Sequence, residues 1–175
     1  MRSLISIFVI FIVLASNGLA QERISSFKPS SDPDRIILTI KGDPSTTMAV
    51  TWRTDTLVSE SVAQLSQNLP TIFLPDSSSV VTGTHEDVEG DGVIARFHSV
   101  NFMSLDPGKT YTYRVGSGID ASEWFTFTTA SDTPDPYTFL FFGDSQMGSN
   151  SLYSRVIRQA YRSVPDARLM VFPGD

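Results

Sequence analysis

The chain carries two kinds of apolar pattern, and the change between them falls near residue 131. From Arg35 to Ala130 the runs are short, rich in β-branched and aromatic residues, and punctuated by turn residues. Arg35 to Ile40 is the first such run, and Gly42-Asp43-Pro44-Ser45 ends it with a turn signal. Met48 to Thr54 alternates, which puts Met48, Val50 and Trp52 on one face of a strand. Ser61 to Ser66 and Thr71 to Leu74 read as the next two strands, with Pro70 between them. Glu89-Gly90-Asp91-Gly92 is a turn ahead of Val93 to Leu105, and Asp106-Pro107-Gly108 is another. Thr110 to Gly116 alternates again, with Tyr111, Tyr113 and Val115 on one face, and Trp124 to Thr129 closes the series.

Roughly seven strands of this kind, with a Trp on an early one, predict an all-β immunoglobulin-like or fibronectin III-like sandwich over residues 35–130. The spacing Leu105-Asp106-Pro107-Gly108-Lys109-Thr110-Tyr111 predicts a tyrosine corner, in which the phenol bonds backbone at a bend and the Leu fills the core. Tyr111, Tyr113 and Trp52 are therefore read as structural. So are the two histidines: His98 on a strand, and His85 in an acidic loop beside Glu86 and Asp87.

Ser131-Asp132-Thr133-Pro134-Asp135-Pro136 reads as a linker, and beyond it the pattern changes. Tyr137 to Phe142 is almost continuously apolar, as in a strand buried on both faces. Ser149, Asn150 and Ser151 offer N-caps, and Leu152, Val156, Ile157, Ala160 and Tyr161 follow at helical spacing. Leu169 to Phe172 is a second buried strand. Each strand runs into a Gly-Asp pair, Gly143-Asp144 and Gly174-Asp175. Such a strand–helix–strand unit places its two strands parallel in one sheet. If they are neighbours, their carboxyl ends lie ~5 Å apart, and Asp144 and Asp175 face one crevice of the kind in which open α/β sheets bind ligands. Two close carboxylates repel, and a cation between them removes the conflict. A single Gly-Asp is a common turn; the pair across one unit is what points to chemistry.

Composition narrows the classes. With 13 Lys+Arg against 19 Asp+Glu the net charge is −6, which argues against a nucleic-acid backbone binder. No cysteine is present, so disulfides and thiolate metal sites are excluded and any metal must be held by oxygen or imidazole. Residues 1–20 read as a secretory signal: Arg2, an apolar core from Leu4 to Leu14, and small residues Gly18 and Ala20 before Gln21. That core is shorter than the ~20 residues of a spanning helix, so the expectation is a secreted or periplasmic protein with no stable membrane insertion after cleavage. Residues 21–34 form a polar lead-in.

In layout the chain resembles the purple acid phosphatases of the calcineurin-like metallophosphoesterase superfamily. The resemblance rests on Gly42-Asp43-Pro44, Met48 to Thr54, His98-Ser99-Val100, Leu105 to Gly116 and Phe125 to Thr129, followed by the two Gly-Asp strand ends. It implies a fibronectin III-like N-terminal domain and, over residues 137–175, the first βαβ unit of a truncated α/β metallophosphoesterase domain. It further implies a dinuclear metal centre, iron with a divalent zinc, manganese or iron. Asp144 would be a ligand of the first metal and Asp175 would bridge both. The implied substrate is a phosphate monoester.

Two departures accompany the resemblance. Gln146 stands where many superfamily members have His and purple phosphatases usually Gly; it either orients a metal-bound water or merely lines the pocket. The tyrosinate expected three residues after Asp175, the Gly-Asn-His-Glu-type loop and the later histidines do not occur. The expectation is thus the front of a longer enzyme, itself inactive as two carboxylates are too few for two metals. Two other readings stay open. Phe142-Gly143-Asp144-Ser145 looks like the nucleophile block of a GDSL-type serine esterase, with Ser145 attacking an ester. Alternatively, the sandwich is a non-catalytic binding module.

Overall fold

The structure, a computed structural model, describes residues 28–67, 78–90, 92–144 and 152–173. It divides into two compact units that part between Asp132 and Thr133.

The first unit is a sandwich of two four-stranded antiparallel sheets. Its strands are β1 (Asp34–Thr39), β2 (Met48–Thr54), β3 (Val62–Ser66), β4 (Ser79–Thr82), β5 (Thr84–Gly90), β6 (Val93–Phe102), β7 (Thr110–Val115) and β8 (Phe125–Thr128). One sheet has the order β1-β2-β6-β5 and the other β4-β3-β7-β8. The chain changes sheet after β2, β4 and β6, and stays in one sheet through the β3–β4, β5–β6 and β7–β8 pairs.

The alternation in β2, β6 and β7 explains the core. Val50, Trp52, Val100, Phe102, Leu105, Tyr111, Tyr113, Val115 and Phe127 form one buried cluster, with Ala63 and Leu65 from β3. Met48 packs against it, so the face expected of Met48, Val50 and Trp52 is the inner one. Phe127 stacks on Tyr111 and on Phe102, with ring centroids 5.6 and 6.2 Å apart. Rings of this size bury the most area per residue and dominate the packing term. Burial also pushes the Tyr113 phenol up to about 12. The tyrosine corner forms: the Asp106 amide donates to the Tyr111 phenol oxygen at 2.8 Å, and the Gln67 side-chain amide donates to it at 3.1 Å. Leu105 is buried beneath.

Three expectations need correction here. His85 lies in no loop; it is the second residue of β5, directly opposite His98 of β6. Every residue of β5 is exposed, so the strand has no apolar face to betray it. Its charges suit an unpaired edge, where they discourage pairing with another chain. The run Val93 to Leu105 ends as a strand at Phe102, because Ser104 turns the backbone into the left-handed region at φ 58°. Among the described residues the sandwich has eight strands: β4 pairs with β3 at a position the pattern did not mark, while Thr71 to Leu74 lies outside the described residues.

The second unit holds β9 (Phe139–Phe141), a helix, α1 (Ser154–Ser163), and β10 (Leu169–Val171). β9 and β10 pair in parallel, with Phe139 opposite Leu169 and Phe141 opposite Val171. The helix matches the apolar spacing; its last turn closes through the Val164 amide on the Ala160 carbonyl, and Pro165 prevents continuation. The proposed caps Ser149, Asn150 and Ser151 lie outside the described residues. Tyr137 to Phe142 does not form a strand buried on both faces. Only three residues are in β9, and Phe139 and Phe141 are 50% and 66% exposed, whereas Phe142 is buried. A two-stranded sheet with a single helix has enough partners for one face only.

Candidate functional site

Three aromatic rings build the carboxyl end of the small parallel sheet. Beyond β9 and β10 the ladder continues through the Phe142 amide, which donates to the Val171 carbonyl at 2.9 Å. Phe142 and Phe172 therefore stand side by side, their rings stacked at 5.0 Å and 11°. Tyr153, just ahead of α1, meets both edge-on at 6.2 and 6.5 Å. Its phenol donates to the Gly143 carbonyl at 2.9 Å. The two strand ends and the start of the helix are thus tied immediately before the first Gly-Asp pair. Pattern reading missed Tyr153; its signal was only an aromatic in the turn that begins a helix following a Gly-Asp strand end.

Of the sequence-derived site residues, Asp144 is described, and it is exposed at the end of the segment that follows β9. Asp175 and Gln146 lie outside the described residues, as does Ser145. Among the described residues no group of three His, Asp or Glu side chains is placed to hold a metal ion. The described residues alone do not fit a dinuclear centre: they supply one carboxylate, of the hard oxygen type such metals accept.

The two histidines, which the pattern kept apart, come together in the sandwich. His98 is fully buried and stacks on Trp52 with ring centroids 4.9 Å apart and planes 9° apart. Its Nε2 lies 2.8 Å from Thr54 Oγ1 and its Nδ1 2.9 Å from Ser61 Oγ. Ser61 Oγ also meets His85 Nδ1 at 3.3 Å. Burial, with help from the His85 and Arg96 charges, holds the His98 imidazole down at about 4. At the strand edge, Arg96 forks onto Asp87 through Nε at 2.7 Å and Nη2 at 2.8 Å, which keeps the Asp87 carboxyl below its ordinary value.

Comparison with known proteins defines the class. The family model of the purple acid phosphatase N-terminal domain matches residues 33–129, and the chain belongs to that family. The matched span contains all eight strands of the sandwich. A curated relative, acid phosphatase type 7 from Mus musculus, is 31% identical over 150 residues, which cover 82% of this chain and 32% of the relative. The chain thus spans about a third of that relative's length. Among solved structures, a redesigned β-sandwich protein is 21% identical, covering 58% of this chain and 97% of that one with a TM-score of 0.37. The sensor domain of an anti-sigma factor from Pseudobacteroides cellulosolvens, in its short form, is 16% identical, covering 55% and 95% with a TM-score of 0.32. Among the described residues no helix is long and apolar enough to cross a membrane.

Proposed function

We propose that this chain is the N-terminal part of a secreted or periplasmic, metal-dependent acid phosphatase that hydrolyses phosphate monoesters. Family membership over residues 33–129 carries the reading, and the parallel pairing of β9 and β10 supports it, because it brings the segments leading to Asp144 and Asp175 together. The sandwich is the family's N-terminal domain, and residues 137–175 open the catalytic domain. Asp144 and Asp175 are its first two metal-ligating carboxylates. Purple acid phosphatases use a dinuclear metal centre, here iron with zinc, manganese or a second iron. Bound cations would neutralise charge on the transferring phosphoryl group. Two carboxylates do not hold two such ions, so the 175-residue chain alone is inactive and its remaining ligands belong to the longer polypeptide.

The test uses the full-length protein that carries this chain, with p-nitrophenyl phosphate hydrolysis and bound metal measured together. Asp144→Asn and Asp175→Asn are each expected to lower turnover by at least a hundredfold and to reduce metal content. Wild-type turnover and metal in both variants would overturn the assignment.

A further inference from the structure

We propose that His85, Ser61 and His98 form an acid-operated latch that fastens the edge strand β5 to the sandwich, closed while His98 is neutral and released when His98 takes a proton.

Hydrogen counting fixes the closed state. The Thr54 hydroxyl donates to the Asp55 carbonyl at 2.8 Å, so toward His98 it can only accept. His98 therefore carries its hydrogen on Nε2, and its bare Nδ1 accepts from the Ser61 hydroxyl. That bond uses the only hydrogen Ser61 has. The contact between Ser61 and His85 Nδ1 must then run the other way, with His85 donating to Ser61 Oγ. The result is a one-directional chain: His85 to Ser61 to His98 to Thr54 to the Asp55 carbonyl. It crosses from β5 to Ser61, then to β6 and β2; the three strands share one sheet, and Ser61 directly precedes β3 of the other. One hydroxyl, that of Ser61, lies between the two rings.

A proton on His98 Nδ1 breaks this order. Ser61 then faces two N–H donors, with nothing to receive its own hydrogen unless His85 gives up the hydrogen on Nδ1. With both rings charged, the two imidazoliums would stand with centroids 5.9 Å apart around one hydroxyl. The strand able to yield is β5, since all seven of its residues are exposed and it lies at the sheet edge. His98 itself is held by Trp52 and the core. The ionisable groups acting on His98 are His85 and Asp87 from β5 and Arg96 from its own strand. Trp52 and Thr54 from β2, and Ser61 ahead of β3, bring no charge to it. Asp55, after β2, acts on Arg96. The low proton affinity that burial imposes on His98 sets the release on the acid side of neutrality.

The experiment is ¹⁵N NMR of the histidine ring nitrogens in the full chain from pH 7.5 to 4, paired with hydrogen exchange of the β5 amides. His98 is expected as the neutral Nε2–H tautomer at pH 7.5. Below about pH 6.5, β5 protection, corrected for intrinsic exchange, is expected to fall by up to about tenfold per pH unit, with the β5 amides exchanging ahead of those of β3 and β7 at every pH. Ser61→Ala should lower β5 protection at neutral pH and flatten its pH dependence. If Ser61→Ala does not fold, the wild-type tautomer and exchange data decide. An Nδ1–H tautomer, β5 protection independent of pH, β5 amides exchanging no faster than those of β3 and β7, or an unchanged pH dependence in Ser61→Ala would each overturn the latch.

Discussion

Acid should destabilise the whole sandwich through His98 before any carboxylate takes part. The perturbation is a change of pH from 7.5 to 4.5 with nothing mutated. In the unfolded chain His98 titrates near 6.5, and in the folded protein it is held down at about 4. Between those values the unfolded state binds more protons than the native state, so stability falls as pH falls. It is fully present above 6.5, is lost progressively down to about 4, and changes no further through this group below that. One pKa unit is worth about 1.4 kcal/mol, so the loss reaches up to about 3 kcal/mol, a large share of the ~5–15 kcal/mol typical of a domain. Asp43 and Asp87 are both held below the ordinary 3.8, by Ser45 and by Arg96 respectively. Their stabilisation is present above that value and is lost only below it, so the two windows separate. Urea unfolding followed by Trp52 fluorescence at half-unit pH steps measures the effect, because Trp52 lies in the core against His98. In His98→Gln the neutral protein should be weaker, but its stability should be nearly flat from pH 6.5 to 4.5. A wild-type slope retained in His98→Gln, or a flat wild-type profile, would refute the reasoning.

Three other outcomes follow from single contacts. Tyr111→Phe removes the acceptor of the Asp106 amide and of Gln67, and should cost about 1–2 kcal/mol in denaturant unfolding with no change in m-value. Gly83→Ala should cost about 3 kcal/mol or more, or prevent soluble expression, because the new Cβ would lie 1.9 Å from the Ser99 carbonyl oxygen, which is backbone and cannot swing aside. Phe102→Ala opens a hole under Tyr113 and Phe127 and should lower stability by about 3–5 kcal/mol in the same assay.

What was legible in the sequence follows from how local each signal is. β2 and β7 announce themselves because Val50, Trp52, Tyr111, Tyr113 and Val115 alternate toward one core. The tyrosine corner is equally local, since five positions separate Asp106 from the phenol that its amide reaches. β5 was hidden because its sequence, THEDVEG, has no apolar face; its pairing with β6 is a tertiary fact. The histidine network was hidden for the same reason. Thr54 and His98 are 44 positions apart and Ser61 and His98 are 37 apart, so only the sandwich topology brings them together. In the second unit the elements were legible and their extent was not: the apolar run predicts more strand than two strands and one helix sustain. Asp144 was legible as a strand-end carboxylate, whereas the Tyr153 bond that ties its neighbour Gly143 depends on where the helix begins.

The uncovered rings of β9 bear on the proposed reading. Parallel sheets are ordinarily covered on both faces, and the run Phe139-Leu140-Phe141-Phe142 is composed for such burial. Phe142 has its cover in Phe172 and Tyr153, while Phe139 and Phe141 remain half or more exposed on the alternate side. An aromatic side chain buries about 150–250 Å² when fully enclosed. Covering what these two leave open would remove roughly 100 Å² each from water, about 2–3 kcal/mol apiece. On the proposed reading that cover is the rest of the catalytic domain. Hydroxyl-radical footprinting of the 175-residue chain beside the full-length protein measures it. Phe139 and Phe141 should be oxidised readily in the short chain and several-fold more slowly in the long one, while Phe127, in the sandwich core, stays protected in both. Equal oxidation of Phe139 and Phe141 in the two proteins would mean that the longer polypeptide leaves this face bare, and would remove the argument that residues 137–175 open an α/β domain.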